Sequence, residues 1–125
     1  VSDTPSSIFE SVSAAQAHTC GLTGGGIVEC WGSDNYGQST PPSGTFESVS
    51  AGAKHTCGVK SGGSVECWGI NDGSTFDLGQ VSDTPSGIFD SVNAGIGHTC
   101  GILISGIVEC WGNDSSGQST PPARP

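Results

Sequence analysis

Three histidines, His18, His55 and His98, each precede a Thr-Cys pair. Histidine is the side chain best suited to proton transfer or metal binding near neutral pH. A hydrolase would pair such a histidine with a free serine or cysteine nucleophile, but the neighbouring cysteines are themselves spaced for pairing, and a catalytic triad in three copies would be unusual. We therefore expect each ring to hydrogen-bond to the backbone at the start of a strand, and we predict no catalytic residues and no enzymatic activity.

The six cysteines form three pairs, and the members of each pair are ten residues apart. Zinc-binding cysteines usually have only two to four residues between them, fewer than separate these pairs, so metal binding is the weaker interpretation. In an antiparallel hairpin with its turn midway, the two cysteines face each other at a distance that a disulfide can bridge. The predicted disulfides are Cys20–Cys30, Cys57–Cys67 and Cys100–Cys110. Disulfides form in oxidising compartments, so we expect a secreted or extracellular protein.

A tryptophan follows the second cysteine of each pair, and polar side chains follow the tryptophan. One interpretation is a carbohydrate site, in which the aromatic faces stack on sugar rings and nearby amides and carboxylates hold the hydroxyls. The other is that each indole packs between neighbouring repeats. The candidate ligand-binding residues are Trp31, Asp34, Asn35, Tyr36, Trp68, Asn71, Asp72, Phe76, Trp111, Asn113 and Asp114. Three near-identical sites would suit multivalent glycan binding, because linked sites raise the overall affinity.

The aspartates and asparagines of these loops could also hold Ca²⁺, which prefers oxygen ligands. The loops lack the acidic spacing and the terminal glutamate of an EF-hand loop. Ordinary turn chemistry accounts for them, because Asp and Asn side chains hydrogen-bond to the backbone of tight turns. We predict no bound metal and no cofactor.

These residues recur because the chain is a tandem repeat. The segment Phe-(Glu/Asp)-Ser-Val-(Ser/Asn)-Ala starts at positions 9, 46 and 89, and Val-Glu-Cys-Trp-Gly starts at positions 28, 65 and 108. We divide the single repeat domain 1–125 into units near 1–38, 39–80 and 81–118, with 119–125 repeating the start of the second unit. The last unit-to-unit step is longer than the first, and most of the extra residues lie in the loop Asn71–Leu78.

Each unit is predicted to contain three strands and no helix. In the first unit, imperfect alternation of apolar and polar residues and the flanking turn residues place strands near 8–14, 18–22 and 27–31. The chain contains 21 glycines, which weaken helices but permit tight turns. The predicted fold class is all-β.

The charge of the chain excludes two classes of partner. Twelve acidic residues against three basic ones give a formal net charge of −9. Nucleic-acid binders need a basic stripe, and anionic membranes attract basic surfaces, so neither is an expected partner. No apolar run approaches the roughly 18 residues of a membrane span, so membrane insertion is not expected.

The repeat resembles the regulator-of-chromosome-condensation repeat, in the cysteine-bearing version found in many secreted and cell-surface proteins. The first unit departs from the pattern at Ala15, where the repeat has glycine. The matching residues of the second unit are Phe46, Val49, Ala51, Gly52, His55, Thr56, Cys57, Gly58, Val65, Cys67, Trp68, Gly69 and Gln80. The resemblance implies a β-propeller, usually of seven blades, whose members act in nucleotide exchange, enzyme inhibition or partner binding. Disulfides and the acidic charge disfavour the nuclear exchange role.

Three units cannot close a propeller ring alone, because a ring needs at least four blades. We expect short blades of three to four strands, three repeats per chain and a ring completed by a homo-oligomer, with a dimer favoured. The segment 119–125 could then reach across to a neighbouring chain. The alternative is that the chain is a piece of a longer propeller.

Binding specificity is expected where the units differ. The residues before each histidine vary, the turn Ile102-Leu103-Ile104 is unusually apolar, and Phe76 is a plausible anchor in the long loop. The varying pairs are Gln16-Ala17, Ala53-Lys54 and Ile96-Gly97. The leading expectation is a lectin-like protein that binds glycans. The alternatives are a protein-binding propeller, such as an enzyme inhibitor, and a structural scaffold.

Overall fold

The computed structural model describes residues 7–122 and contains three antiparallel sheets of three strands each. Their orders are β1-β2-β3, β4-β5-β6 and β7-β8-β9. The strands are β1 (Phe9–Ala14), β2 (His18–Thr23), β3 (Val28–Gly32), β4 (Phe46–Ala51), β5 (His55–Lys60), β6 (Val65–Gly69), β7 (Phe89–Ala94), β8 (His98–Leu103) and β9 (Val108–Gly112). The all-β prediction is confirmed, and no helix able to cross a bilayer occurs between residues 7 and 122.

The predicted register of the second and third strands is confirmed. Cys20 lies opposite Cys30, and Leu22 lies opposite Val28. The same pairing recurs in the other two sheets and brings each pair of cysteine Cα atoms to within about 4 Å. The disulfides are Cys20–Cys30, Cys57–Cys67 and Cys100–Cys110, as predicted. Each closes a short hairpin loop, which stabilises a sheet too small to have much core of its own.

The glycine after the first cysteine of each unit makes room for an aromatic ring. A Cβ atom on Gly58 would lie 2.6 Å from the ring of Phe46, so no larger residue fits there. The Phe46 ring in turn meets the indole of Trp68 edge-on, with the ring centroids 5.7 Å apart. Phenylalanine, glycine and tryptophan from the three strands of one unit therefore form one cluster, and the outer units repeat it.

Each unit has two different faces, and the units stack in one direction. The aromatic face of a unit carries Phe, Val and Trp, and its disulfide face carries the disulfide and two aliphatic residues. The disulfide face of the first unit packs on the aromatic face of the second, in a cluster of Cys20, Leu22, Val28, Phe46 and Trp68. The second unit packs on the third in the same way, through Cys57, Val59, Phe89, Val92 and Trp111.

The strand directions place two sets of loops at one edge of the array. Because the strands are antiparallel, the turn between the first and second strands lies beside the loop that follows the third strand. We call this edge the loop face. The turns between the second and third strands lie at the opposite edge.

Candidate functional site

All of the predicted loop residues lie on the loop face. They follow the third strand of each unit, where a glycine with positive φ ends the strand, as at Gly69 (φ 118°). The structure therefore brings the following residues to one edge of the array: Asp34, Asn35, Tyr36, Asn71, Asp72, Phe76, Asn113 and Asp114.

The aspartates of the first and third loops hold the loops together. Asp34 accepts a hydrogen bond from the Ser39 backbone amide (2.8 Å) and one from the Thr40 hydroxyl (2.6 Å). Asp114 accepts the equivalent bonds from Ser119 and Thr120. The hydroxyl of Thr120, followed by the amide of Ser119, lowers the pKa of Asp114 below its usual value. These carboxylates are therefore engaged in turn structure.

The longer middle loop has its own aspartate contacts. Asp72 accepts a hydrogen bond from the Ser74 amide (2.9 Å), and hydrogen bonding to Ser74 lowers the pKa of Asp72. Asp77 accepts one from the Gly73 amide (2.8 Å). Across residues 7–122, no three His, Cys, Asp or Glu side chains come together in a group that could hold a metal ion.

Two of the three tryptophans are buried between units. Trp68 is 7% exposed and Trp111 is 5% exposed, and their Nε1 atoms donate hydrogen bonds of 3.0 Å to the carbonyl oxygens of Gln38 and Gln80. Their burial contradicts the interpretation of these two indoles as sugar-stacking surfaces, because neither presents a face to a ligand. Trp31 is half-buried against Phe9 on the aromatic face of the first unit.

His18 and His55 bond to threonine hydroxyls of the next unit, not to the backbone as expected. His18 Nε2 lies 2.8 Å from Thr56 Oγ1, and His55 Nε2 lies 2.7 Å from Thr99 Oγ1. Because the Thr56 hydroxyl donates its proton to the Gln38 carbonyl (2.9 Å), it must accept from His18, which fixes the neutral ring with hydrogen on Nε2. His18 and His55 therefore connect neighbouring units through side-chain hydrogen bonds.

Burial makes these rings poor bases. Burial lowers the pKa of His18, and it lowers the pKa of His55 to about 4, with repulsion from His18 and His98 adding to the effect. The Nδ1 atoms of His18 and His55 are buried and have no hydrogen-bond partner among residues 7–122. Both rings are thus neutral at physiological pH and closed off from substrates.

A cavity on the loop face, between the second and third units, is lined by residues that are far apart in the sequence. It has a volume of about 370 Å³, and Lys54, Phe76, Leu78 and Ile96 line it together with Asn113. Phe76 is 56% exposed, Leu78 40% and Ile96 82%. We call Lys54, Phe76, Leu78 and Ile96 the loop-face patch.

The long middle loop builds one wall of this cavity. It carries Phe76 and Leu78 towards the third unit, where a Cβ atom on Gly97 would meet Leu78 at 3.1 Å. Lys54 lies between two aromatic rings, with its Nζ 4.8 Å from the centroid of Phe76 and 5.9 Å from that of Tyr36. This contact orients the Phe76 ring, since a cation is attracted to an aromatic face.

The loop-face patch was only partly visible in the sequence. Phe76 was predicted as an anchor, and the pairs Ala53-Lys54 and Ile96-Gly97 stood out because they differ between units. Leu78 carried no signal. Gln80 was named as a residue of the repeat, but no role was predicted for the loop glutamines. Gln80 accepts a hydrogen bond from the Leu78 amide through Oε1 (2.6 Å), and Gln38 and Gln118 accept equivalent bonds in the other loops.

Comparisons with known proteins identify the repeat. Curated protein sequences yield no match. The chain is similar to the ectodomain of the Physcomitrella patens receptor kinase CR4 (29% identity, TM-score 0.78, 99% of this chain and 35% of that one). It is also similar to the ectodomain of the Arabidopsis thaliana receptor kinase ACR4 (28% identity, TM-score 0.73, 99% and 42%). It therefore spans well under half of either relative.

A more distant likeness concerns the fold alone. Prp20p from Saccharomyces cerevisiae is 17% identical, with a TM-score of 0.70 over 91% of this chain and 34% of that one. The pattern of the regulator of chromosome condensation (RCC1) repeat matches residues 9–38, 46–74 and 89–118. Its three matches coincide with the three sheets. The chain therefore belongs to the RCC1 repeat family, and its three sheets are blades of the β-propeller type.

Proposed function

We propose that this chain is an extracellular, non-enzymatic module that binds a protein partner through the loop-face patch. The observation that carries the proposal is the exposure of Phe76, Leu78 and Ile96 side by side around a cavity. Exposed apolar side chains that cluster on a folded surface are typical of interaction sites, and buried aromatic anchors contribute most of the binding energy in such interfaces.

The charge around the patch indicates the chemistry of the partner. Asp72 and Asp77 lie in the same loop as Phe76, and Asp114 follows Asn113 at the cavity wall. Lys54, the basic residue of the patch, stacks on aromatic rings, and the chain as a whole carries a net charge of −9. We therefore infer a partner surface with an apolar centre flanked by Lys or Arg, because complementary charge speeds and orients association.

The extracellular location is supported by two observations. Three disulfides in 125 residues are typical of proteins that fold in an oxidising compartment. The two similar receptor kinase structures, at 29% and 28% identity, are ectodomains. We also propose that the chain has no enzymatic activity. His18 and His55 are hydrogen-bonded to threonines of the next unit, and the cysteines form disulfides, so neither residue type is available as a base or a nucleophile.

Glycan binding is the weaker candidate. It was predicted from tryptophans followed by polar loops, and the burial of Trp68 and Trp111 removes two of the three indole faces. Asp34 and Asp114 are already engaged in loop hydrogen bonds. Tyr36 and Phe76 remain as loop-face aromatics.

A peptide array tests the proposed function. The probes are peptides with a central Leu, Ile or Phe flanked by Lys and Arg, beside the same peptides flanked by Asp and Glu. We expect the wild-type chain to bind the basic set, and Phe76→Ser to weaken binding about tenfold or more, the effect of losing an aromatic anchor. Ile104→Ser is the matched control, because Ile104 is 72% exposed but lies in a turn at the opposite edge.

Two results would overturn the proposal. Equal binding of the basic peptides by the wild type and Phe76→Ser would show that the loop-face patch is not the site. Selective binding on a glycan array that is lost in Tyr36→Ala would favour the carbohydrate interpretation instead.

A further inference from the structure

One lysine of the loop-face patch lies against two aromatic rings that come from different units. Lys54 stands in the turn between β4 and β5, and its Nζ lies 4.8 Å from the ring centroid of Phe76 and 5.9 Å from that of Tyr36. Tyr36 belongs to the loop after β3 in the first unit, and Phe76 belongs to the long middle loop of the second unit. The two rings together therefore contact a single cation, as aromatic faces do when a positive charge lies within about 6 Å of them.

The ammonium group of Lys54 has no carboxylate partner. Among residues 7–122, the only ion pair joins Lys60 to Glu66, at the opposite edge of the array. A cation on an aromatic face at an exposed site is bound weakly, and a lysine side chain is a flexible stem that can adopt other rotamers. Lys54 can therefore leave the two rings at a small cost in free energy.

The loops that carry the two rings are acidic. Asp34 stands two residues before Tyr36, Asp77 directly follows Phe76, and the chain as a whole has a net charge of −9. The potential of a carboxylate reaches about 8–10 Å at physiological ionic strength. These loops therefore favour a cation at the rings, whichever molecule supplies it.

Hydrogen bonds hold the two ring-bearing loops independently of Lys54. In the first loop, the backbone amide of Tyr36 donates to Gln38 Oε1 (2.8 Å), and in the middle loop Gln80 Nε2 donates to the carbonyl oxygen of Phe76 (3.2 Å). Both glutamines are buried. The backbone at Tyr36 and Phe76 should therefore keep its position when the lysine moves away, and 56% of the Phe76 side chain is already accessible.

We propose that the rings of Tyr36 and Phe76 form a cation site for an Arg or Lys side chain of the protein partner, and that Lys54 fills this site until the partner displaces it. The inference rests on the proposed function, because the same partner places an apolar side chain in the adjacent cavity. Arginine is the better ligand, since its planar guanidinium group stacks on aromatic faces and is more weakly hydrated than an ammonium group. The resident lysine makes the site selective, because a partner side chain has to bind the rings better than Lys54 does.

Removal of Lys54 should therefore tighten the binding of a basic partner. An exposed contact of this kind keeps the site filled about 70–85% of the time, so emptying it in Lys54→Ala should raise the affinity about three- to sixfold. The probe is a peptide with a central Phe flanked by Arg, beside the same peptide flanked by citrulline, which has nearly the same shape and no charge. Isothermal titration calorimetry should show the gain for the Arg peptide and not for the citrulline peptide.

Two controls separate the site from the charge of the chain. Lys60→Ala removes the same charge at the opposite edge and should leave the affinity for the Arg peptide nearly unchanged. In the Lys54→Ala background, Tyr36→Leu removes one ring and should cancel the gain, whereas Tyr36→Phe keeps the ring and should retain it. Binding of the citrulline peptide by each variant shows that its loop-face patch is folded.

The outcomes distinguish the cation site from the proposed function. Affinity for the Arg peptide that is equal or lower in Lys54→Ala would overturn the cation site, because the lysine would then position Phe76 and not compete with the partner. A gain of the same size in Lys60→Ala would overturn it as well. If both peptides bind the wild type and neither responds to Lys54→Ala, the cation site alone fails. If neither peptide binds the wild type, the proposed function fails together with it.

Discussion

Acidification from pH 7 to pH 5 should destabilise the array through the boundary histidine His55. This ring is fully buried between the second and third units, and its Nε2 is hydrogen-bonded to Thr99. Its Nδ1 has no hydrogen-bond partner in the part of the chain that the structure describes. Burial, with repulsion from His18 and His98, lowers its pKa from 6.5 to about 4. A proton added at Nδ1 would therefore meet no acceptor within residues 7–122.

The direction and size of the effect follow from linkage. The unfolded chain binds a proton at His55 below pH 6.5, whereas the folded chain does so only near pH 4, so unfolding takes up a proton between these values. Stability at this site is therefore complete above about pH 6.5 and decreases as the pH falls towards 4. With these two values, the free energy of unfolding decreases by about 2 kcal/mol at pH 5 and by about 3 kcal/mol near pH 4. Burial lowers the pKa of His18 as well and adds a loss in the same direction.

Urea denaturation at pH 7 and pH 5, followed by tryptophan fluorescence, measures this effect. The variant His55→Gln lacks the titrating ring, so its loss of stability between the two pH values should be smaller than that of the wild type by about 2 kcal/mol. The matched control is His98→Gln, at the equivalent, half-buried position of the last unit, which should keep most of the wild-type pH dependence. An unchanged pH dependence in His55→Gln would refute the reasoning.

Three further predictions concern the packing between and within units. Trp68→Phe removes the buried hydrogen bond to the preceding unit and should lower the free energy of unfolding, measured by urea denaturation, by about 1–3 kcal/mol. Trp31→Phe changes a half-buried indole and should lower it by less than half as much. Equal losses in the two variants would contradict the packing. Gly52→Ala should lower the melting temperature, because its Cβ would collide with the His55 ring and lie 2.5 Å from a backbone oxygen, whereas Gly62→Ala, with open space around it, should not. Reduction of the disulfides should unfold the chain at 37 °C, because each disulfide contributes about 2–3 kcal/mol to the free energy of unfolding. Circular dichroism measures the loss of structure. A native spectrum after reduction would show that packing alone keeps the chain folded.

The strands and disulfides could be predicted because they depend on spacing within one unit. Two cysteines ten residues apart, with glycines midway, fix the hairpin register, and the structure shows Cys57 opposite Cys67 as this pattern requires. The alternation of side chains then separates the two faces of each sheet. The prediction is strengthened because the same spacing of cysteines and glycines occurs in all three units and is consistent with one fold.

The contacts between units could not be predicted from the same pattern. The sequence identified Trp68 and His55 as recurring residues, but whether a recurring residue is exposed or buried depends on how the next unit is placed in space. The bond from His55 to Thr99 spans 44 residues, and nothing local in either segment specifies it. The unit boundaries near 38, 80 and 118 stay a prediction of the repeat pattern.

The loop-face patch depends on the long middle loop, and the repeat pattern does not determine the conformation of that loop. Phe76 was recognisable as an unusual residue in an insertion, but its position above Lys54 and beside Ile96 follows from the fold of that loop. Aspartate hydrogen bonds at Asp72 and Asp77 tighten the loop at its tip, and Gln80 holds its end. Irregular loops of this kind carry specificity because the repeated framework does not constrain their sequence.

The binding role of the loop-face patch is tested most directly by nuclear magnetic resonance. Titration of the isotope-labelled chain with a peptide that has a central Phe flanked by Lys and Arg should shift the backbone signals of Lys54, Phe76, Leu78 and Ile96. Signals from the opposite edge, such as that of Ile104, should stay in place. Shifts confined to the opposite edge, or no shifts at millimolar peptide, would contradict the proposed site.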